Sequence, residues 1–411
     1  MELREGFKQT EVGIIPQDWE IKPLCDITSL MTNGFVGTAT SHYSDNDSDI
    51  LYIQGYNVEE NRFNFTGIKY VTKAFHRQHI KSCLQENDLL TIQTGDVGLT
   101  TIVPKELEGS NCHALIITRF KKDLFTPKYF SYYFNSQTGR SRLKEIETGT
   151  TMKHINVGDL KSFLVPLPPT KAEQTAIATA LSDMDNLIAG LEQLIVKKKA
   201  IKQGAMQELL KPKEGWVVKK LGDSADIFRG GSPRPIERFL TNDPDGINWI
   251  KIGDVGKFAK YIESTEEKII PEGISRSRFV NEGDFLLSNS MSFGRPYILK
   301  TNGCIHDGWL VIQNYTNHFD RGFLYYVLGS ESILVQYRAM ASGSSVLNLN
   351  KEIVKNVLVN CPESLEEQSE IATILSDMDD EIILLEKKLE KSKMLKQGMM
   401  QELLTGKTRL V

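Results

Sequence analysis

The sequence predicts an α+β protein. It has two similar mixed α/β globular domains separated by two long helices that form an antiparallel coiled coil, and the whole is a pseudo-two-fold internal repeat. Three observations predict this. A 38-residue segment recurs 194 residues further along with no gap. Both copies carry apolar residues at alternating intervals of four and three. The stretch before each copy is a series of short apolar runs broken by Gly, Asp, Asn and Ser, the pattern of strands joined by turns.

The repeat is the strongest of the three. EQTAIATALSDMDNLIAGLEQLIVKKKAIKQGAMQELL (Glu173–Leu210) and EQSEIATILSDMDDEIILLEKKLEKSKMLKQGMMQELL (Glu367–Leu404) share 23 of 38 positions. Upstream the likeness is weaker but continues. At the same offset Gly149, Thr150 and Thr151 fall on Gly343, Ser344 and Ser345, and Asn156 falls on Asn350. ENDLLTIQTGDVG (Glu86–Gly98) resembles EGDFLLSNSMSFG (Glu282–Gly294), and Trp19 has its counterpart in Trp216. Helical copies that stayed alike imply one shared job done twice, and globular copies that drifted imply two different jobs of one kind. The division expected is 1–168 and 213–362 for the globular domains, with helical spacers at 169–212 and 363–411.

In the first helix Ile177, Leu181, Met184, Ile188, Leu191 and Ile195 follow the 3.5-residue period of a coiled-coil seam. Ile371, Leu375, Met378, Ile382, Leu385 and Leu389 repeat it in the second. Pro168, Pro169 and Pro362 stop the preceding structure, Pro212 and Gly215 follow the first helix, and Gly406 follows the second. Thirty-eight helical residues extend about 60 Å. Each helix is acidic early and basic late, which suits its dipole. Antiparallel packing then sets acid against base, relates the two domains by an approximate two-fold axis, and would let the rod act as a ruler for two sites about one turn of B-DNA apart.

Within the domains, strands are expected at Leu51–Ile53, Leu89–Ile92, Ala114–Ile117 and Phe163–Val165. In the second copy they are expected at Trp249–Ile252, Phe285–Leu287, Trp309–Ile312 and Val357–Val359. Helices are expected around Pro127–Ser136 and Arg321–Ser330. Loops that combine Gly, hydroxyl and amide groups with Arg or Lys are the candidates for contacting DNA, since backbone N–H and hydroxyl groups hold phosphates while Arg, Lys, Asn and Gln read base edges. Three pairs stand out. The first is the loop with Thr150, Thr151, Lys153 and His154, matched by Ser344, Ser345 and Asn348. The second is Gln93 and Thr94, matched by Asn289 with Arg295 following. The third is Asn33–Gly34, matched by Arg229 and Arg234. Each of these loops also reads as an ordinary turn.

Composition narrows the class. The chain has 411 residues, 40% of them hydrophobic and 25% charged, which is enough for two to three soluble domains. No apolar run approaches the ~18 residues of a membrane span, and residues 1–20 lack an apolar signal core, so a cytoplasmic location is expected. The five cysteines form no CxxC pair and read as buried free thiols. The net charge of −4 is carried by residues 171–211 and 363–407 of the two helical segments, leaving the rest about neutral. The glycine-rich dinucleotide and P-loop patterns are missing, as is an Asn-Pro-Pro-aromatic run, and His76 and His79 lack further ligands nearby. No catalytic, metal or cofactor site is expected in this chain.

The openings KQTEVGIIPQDWEIKPL (Lys8–Leu24) and KEGWVVKKLGD (Lys213–Asp223) resemble those of target-recognition domains in type I restriction-modification specificity subunits. PLPPTKAEQTAIATALSDMD (Pro166–Asp185) and LKQGMMQELLTGKTRL (Leu395–Leu410) resemble that family's repeated central and terminal regions. The resemblance implies a non-catalytic subunit that binds a split site in double-stranded DNA, one half per domain, with the gap set by the helices. It implies two modification subunits docked on the helical regions, methylating adenine with S-adenosylmethionine. It also implies two restriction subunits that use ATP and Mg and cleave unmethylated DNA. Three other readings remain: a fused restriction or methylation enzyme, an adaptor that holds proteins without DNA, and an unpaired specificity gene product.

Overall fold

The computed structural model describes residues 5–121, 123–151, 153–256, 259–289, 293–341 and 349–410. Both repeated segments are continuous helices of 39 residues, the central helix Lys171–Leu209 and the C-terminal helix Leu365–Leu403. The chain divides into two compact units. The first holds Met1–Glu192 with Lys387–Val411, and the second holds Gln193–Glu386. Each unit therefore contains a part of both helices.

Within each unit the two helices run antiparallel. In the first unit Glu192 pairs with Lys393 at 2.8 Å, Asp185 with Lys396 at 2.8 Å and Glu173 with Arg409 at 2.5 Å. One set of numbers falls as the other rises. In the second unit Lys199 pairs with Glu386 at 2.7 Å and Lys202 with Asp379. The opposed charge gradients thus pair as the sequence predicts. The seam is the buried face: Ile177, Leu181, Leu191, Ile195, Ile371, Leu375 and Ile382 are buried, and the remaining seam positions are partly so.

Two contacts fasten these helices to each globular part, and both occur twice at an offset of 194. Tyr132 Oη donates to Asp185 Oδ2 at 2.7 Å, and Lys396 Nζ holds the other oxygen of that carboxylate. In the second unit Tyr326 Oη donates to Asp379 Oδ2 at 2.7 Å, and Lys202 holds the other oxygen. Buried Gln174 accepts from the Thr126 amide at 3.0 Å, and Gln368 accepts from the Asp320 amide at 2.9 Å. Burial would penalise these polar groups were they not each satisfied.

The globular part of the first unit is built on an antiparallel sheet in the order Thr100–Ile102, Leu89–Ile92, Leu115–Phe120, Thr28–Asn33. A second, mixed sheet is ordered Asn111–Cys112, Ile50–Ile53, Lys69–Val71, Tyr43–Ser44. The second unit repeats the plan. Its first sheet runs Asp226–Arg229, Trp309–Gln313, Phe285–Ser288, Pro296–Leu299, with Tyr261–Ile262 added at the edge. Its second sheet runs Leu240–Thr241, Glu267–Ile269, Ile247–Ile250, Gly303–Ile305, Arg278–Val280.

The near-continuous apolar runs of the central strands have a simple cause. Successive side chains point to opposite faces, and both faces are covered. Ile116 and Phe120 enter the core shared with Tyr129, Phe130, Ile177 and Leu403, whereas Leu115 and Ile117 enter the core shared with Ile53 and Val103. In the second unit Leu310 and Ile312 join Phe323 and Leu375, while Trp309 and Val311 join Ile250 and Tyr297.

The expected strands and the two expected helices are present, at Pro127–Asn135 and Arg321–Leu328, although the run from Trp249 ends at Ile250. Helices Gln137–Glu145 and Glu331–Ala341, and the strand Thr28–Asn33, are additional to that reading. The expectation for the cysteines needs correction. All five are free, but Cys25 is exposed and Cys83 half-buried. Leu24 and Ile27 form the inward face of a four-residue helix, which leaves Cys25 outside. His79 packs against Phe35 and Phe75, and His76 Nδ1 lies 3.3 Å from Asn111 Nδ2. Among the described residues no helix is long and apolar enough to cross a membrane.

One buried ion pair distinguishes the two units. Asp88, fully buried, takes both Arg119 Nε and Nη2 at 2.7 Å and the Gln85 amide at 2.8 Å. At the equivalent place in the second unit Gln313 stands opposite Asp284, and burial pushes the Asp284 carboxyl up. Replacing Asp88 by Asn leaves the guanidinium without its counter-charge. It should destabilise the protein by about 3 kcal/mol, whereas Asp284→Asn should cost markedly less; thermal unfolding of the two variants checks this.

Candidate nucleic-acid interface

The three pairs of candidate loops lie far apart in sequence, so their value depends on where the strands deliver them. In the first unit the strand Leu115–Phe120 begins between two neighbours, with Ile92 paired to Leu115 on one side and Asn33 paired to Ile116 on the other. Gly34 and Gln93 therefore leave their strands at the same end of the sheet. The Gly34 amide donates to Leu115 O at 2.7 Å and the Phe35 amide to Cys112 O at 2.9 Å. A Cβ at Gly34 would stand 2.6 Å from Cys112 Sγ and 2.8 Å from its carbonyl oxygen, so this close approach requires glycine.

The third loop joins them there. The Ile155 amide donates to Gln93 O at 3.1 Å, and Thr94 and His154 form an antiparallel bridge. His154 belongs to a two-stranded ladder, Glu147–Thr148 with His154–Ile155, in which its Nε2 lies 3.1 Å from Thr148 Oγ1. Thr150, Thr151 and Lys153 are exposed on the turn between, which Gly149 opens at φ +92°. Gln93, Thr94, Thr150, Thr151, Lys153 and His154 thus come together at one end of one sheet. The turn beside them carries His113, which bonds Tyr52 Oη through Nδ1 at 3.0 Å. Burial holds the His113 imidazole below its usual pKa.

The second unit repeats this convergence. Leu310 pairs with Arg229, Trp309 pairs with Ser288, and the Gly230 amide donates to Trp309 O at 2.9 Å. The Asn289 amide donates to Gly308 O at 3.1 Å, and the Leu349 amide donates to Asn289 O at 2.8 Å, matching Ile155 and Gln93. Ser344, Ser345 and Asn348 lie outside the described residues.

Asp307 stands where the loops of the second unit meet. Arg229 Nε donates to its backbone oxygen at 3.1 Å, as does Asn289 Nδ2 at 3.3 Å. Ser232 Oγ donates to its carboxylate at 3.0 Å, and His306 Nε2 lies 2.9 Å from the same oxygen. Arg234 Nη2 is 3.6 Å from the other. Burial acts to raise the Asp307 carboxyl, but Ser232, His306, Arg229 and Arg234 together bring it below its ordinary value.

Arg295 is placed differently. Its guanidinium donates to Ala259 O at 3.3 Å, stacks on Tyr297 at 5.4 Å, and lines a cavity of about 350 Å³ with Lys202, Met206 and Tyr325. The structure does not bring it to the Asp307 cluster. Asp307 and its equivalent His113 escape a reading of loops rich in Gly and Arg. The signal that could have found Asp307 is its Asp-Gly turn dipeptide immediately before a strand, in register with His113 at the 194-residue offset.

This architecture is a doubled recognition fold: two sheets of the same order, each with loops gathered at one end. The sequence model of the type I restriction modification DNA specificity domain matches residues 16–200 and again 213–393, and the chain belongs to that family. It is a specificity subunit of the type I restriction-modification kind, a DNA-recognition chain rather than an enzyme. It is 26% identical over 425 residues to a putative type I restriction enzyme MjaX specificity subunit from Methanocaldococcus jannaschii, covering 99% of this chain and 97% of that one. It is 22% identical over 284 residues to the EcoKI specificity subunit of Escherichia coli, covering 62% and 59%. In structure it resembles the type I S subunit of M. genitalium with a TM-score of 0.58 at 17% identity, covering 98% of each chain. The HsdS subunit of Thermoanaerobacter tengcongensis gives a TM-score of 0.51 at 17% identity, covering 96% and 98%.

Gly34→Ala and Gly230→Ala should each cost about 1–3 kcal/mol through forced displacement of the adjoining turn, since at Gly230 the added Cβ would overlap the His306 carbonyl oxygen. Gly95→Ala, where nothing lies within 4 Å and only the positive φ opposes the change, should cost less. Denaturant unfolding of the three variants measures the difference.

Proposed function

We propose that this chain binds a split site in double-stranded DNA, one half through each unit, and directs partner subunits that methylate adenine within it or cleave DNA lacking that mark. The observation that carries the reading is the duplicated convergence of loops: the same end of the same sheet gathers polar and basic side chains twice in one chain, with different residues each time. Two such surfaces with unlike chemistry suit two unlike half-sites. Double-stranded DNA, two modification subunits and two restriction subunits are the proposed partners. S-adenosylmethionine, ATP and Mg would belong to those partners, acting with this chain in the cytoplasm.

The helices offer surface for such partners. In the first unit Leu187, Met394 and Leu395 are exposed, and in the second Leu194, Val196, Ile201, Ile383 and Leu384 are exposed. Exposed apolar residues off the buried seam, such as the adjacent pairs Ile383–Leu384 and Met394–Leu395, supply apolar area that a partner could cover. Ile201 and Leu395 correspond at the 194-residue offset and are exposed in both copies, so that point of the surface is presented twice, which suits two copies of one partner.

Co-expression with a modification subunit, followed by single-molecule mapping of adenine methylation across the host genome, tests the proposal. A single motif of two defined halves and a fixed gap is expected. A contiguous motif would contradict the assignment of one half to each unit, and no new methylation from a folded, bound partner would favour the adaptor or the unpaired gene product. Leu194→Glu with Ile201→Glu should weaken capture of the modification subunit at least tenfold while leaving the melting temperature within a few degrees, because both side chains already face water.

A further inference from the structure

The two units share a framework position that carries different chemistry in each. Asp307 and His113 both precede the turn into the first residue of a central strand, Trp309 and Leu115, and both sit against the loop that leaves the neighbouring edge strand at Gly230 or Gly34. In the first unit that loop, Asn33–Ala39, contains no arginine, and His113 is bonded to Tyr52. In the second unit it carries Arg229 and Arg234, and both are tied to Asp307.

The way they are tied matters. Arg229 spends only Nε on the Asp307 backbone oxygen, leaving its two terminal nitrogens with no hydrogen bond among the described residues. Arg234 is 83% exposed, and its 3.6 Å ion pair is too long for a hydrogen bond. Ser232 and His306 hold the carboxylate from the other side. The result is two arginines, Arg229 at the end of its strand and Arg234 in the loop that follows, partly neutralised by one carboxylate. Guanine presents O6 and N7 in the major groove, and a bidentate arginine is the contact that best distinguishes it. Partial neutralisation lowers the pull of such arginines toward any phosphate, which is the sequence-independent part of binding.

We propose that Asp307 is a positioning residue that holds Arg229 and Arg234 for reading guanine in the half-site bound by the second unit, and that the first unit, with His113 in its place, reads its half-site without an arginine at that position. This inference rests on the DNA-specificity reading above and adds which base class one half-site contains and which residues select it.

The test uses the full chain in complex with a modification subunit. Duplexes bound from a randomised library are sequenced for the unaltered chain and for variants. The unaltered complex should select a split motif with guanine in one half. Arg234→Lys or Arg229→Lys keeps the charge but not the bidentate fork. At least one of them should reduce guanine discrimination at a single position of that half by about tenfold or more, with the other half unchanged. Asp307→Asn removes the charge facing Arg234 and keeps the backbone oxygen that holds Arg229, so it should lower the discrimination made by Arg234 while raising affinity for unrelated duplex by about threefold, and Asp307→Glu should retain the preference. A residue with a merely structural role would weaken all duplexes alike on substitution, and that outcome for Asp307→Asn overturns the positioning role. A half-site motif untouched by both lysine variants overturns the guanine assignment and leaves the DNA-specificity reading standing. If the unaltered complex selects no motif, both fall.

Discussion

The carboxylates Asp185 and Asp379 are the points on which the architecture turns. Each accepts a hydrogen bond from a tyrosine of the globular part and an ion pair from a lysine of the antiparallel helix. Three elements distant in sequence meet on one side chain, and the arrangement occurs twice at a spacing of 194 residues. Desolvating a carboxylate is costly unless its oxygens are satisfied, so the geometry that satisfies both oxygens also fixes helix register and domain attachment together. Burial works against the charge on Lys396, but Asp185 and Glu60 outweigh it and hold the ammonium above its ordinary pKa. The seam leucines and isoleucines are buried or half-buried, but a heptad-spaced seam would tolerate a slip of one heptad; the paired charges would not.

From that frame the rest follows by strand order. A central strand that starts between two neighbours must gather their outgoing loops at its beginning, whatever those loops contain. The fold thereby separates two requirements. The sheet and the helix anchors keep the same order and contacts in both units, while the loop residues differ. Arg119 opposite Asp88 becomes Gln313 opposite Asp284 inside the sheet, and His113 becomes Asp307 at its end. Where the fold needs close approach it keeps glycine, at Gly34 and Gly230, and elsewhere in the same loops it is free to change.

Some elements are legible because their signal is local. The long helices announce themselves through a 3.5-residue period sustained over six seam positions, and the opposed charge gradients give their relative direction. The strands Leu89–Ile92 and Phe285–Ser288 are legible as apolar runs bounded by turns. Two-residue strands such as Tyr43–Ser44 or Leu240–Thr241 are too short to show any period. The strand Thr28–Asn33 is disguised by Thr and Asn, although Thr28 and Thr32 are buried and Thr28 Oγ1 donates to Leu24 O at 2.8 Å. The candidate loops were legible in composition. That Gln93 and His154 adjoin, while Arg295 turns toward Tyr297 and Lys202, was not.

The sequence by itself determined that the chain is a doubled α+β protein with two antiparallel helices, because repetition and periodicity are properties of order along the chain. Only the tertiary structure decided that Asp307, one acidic residue among many, stands among Arg229, Ser232, Arg234, Asn289 and His306. The physical reason is that strand order in a sheet is set by which apolar faces are buried together, and proximity between loops is inherited from that order rather than from any residue in the loops themselves.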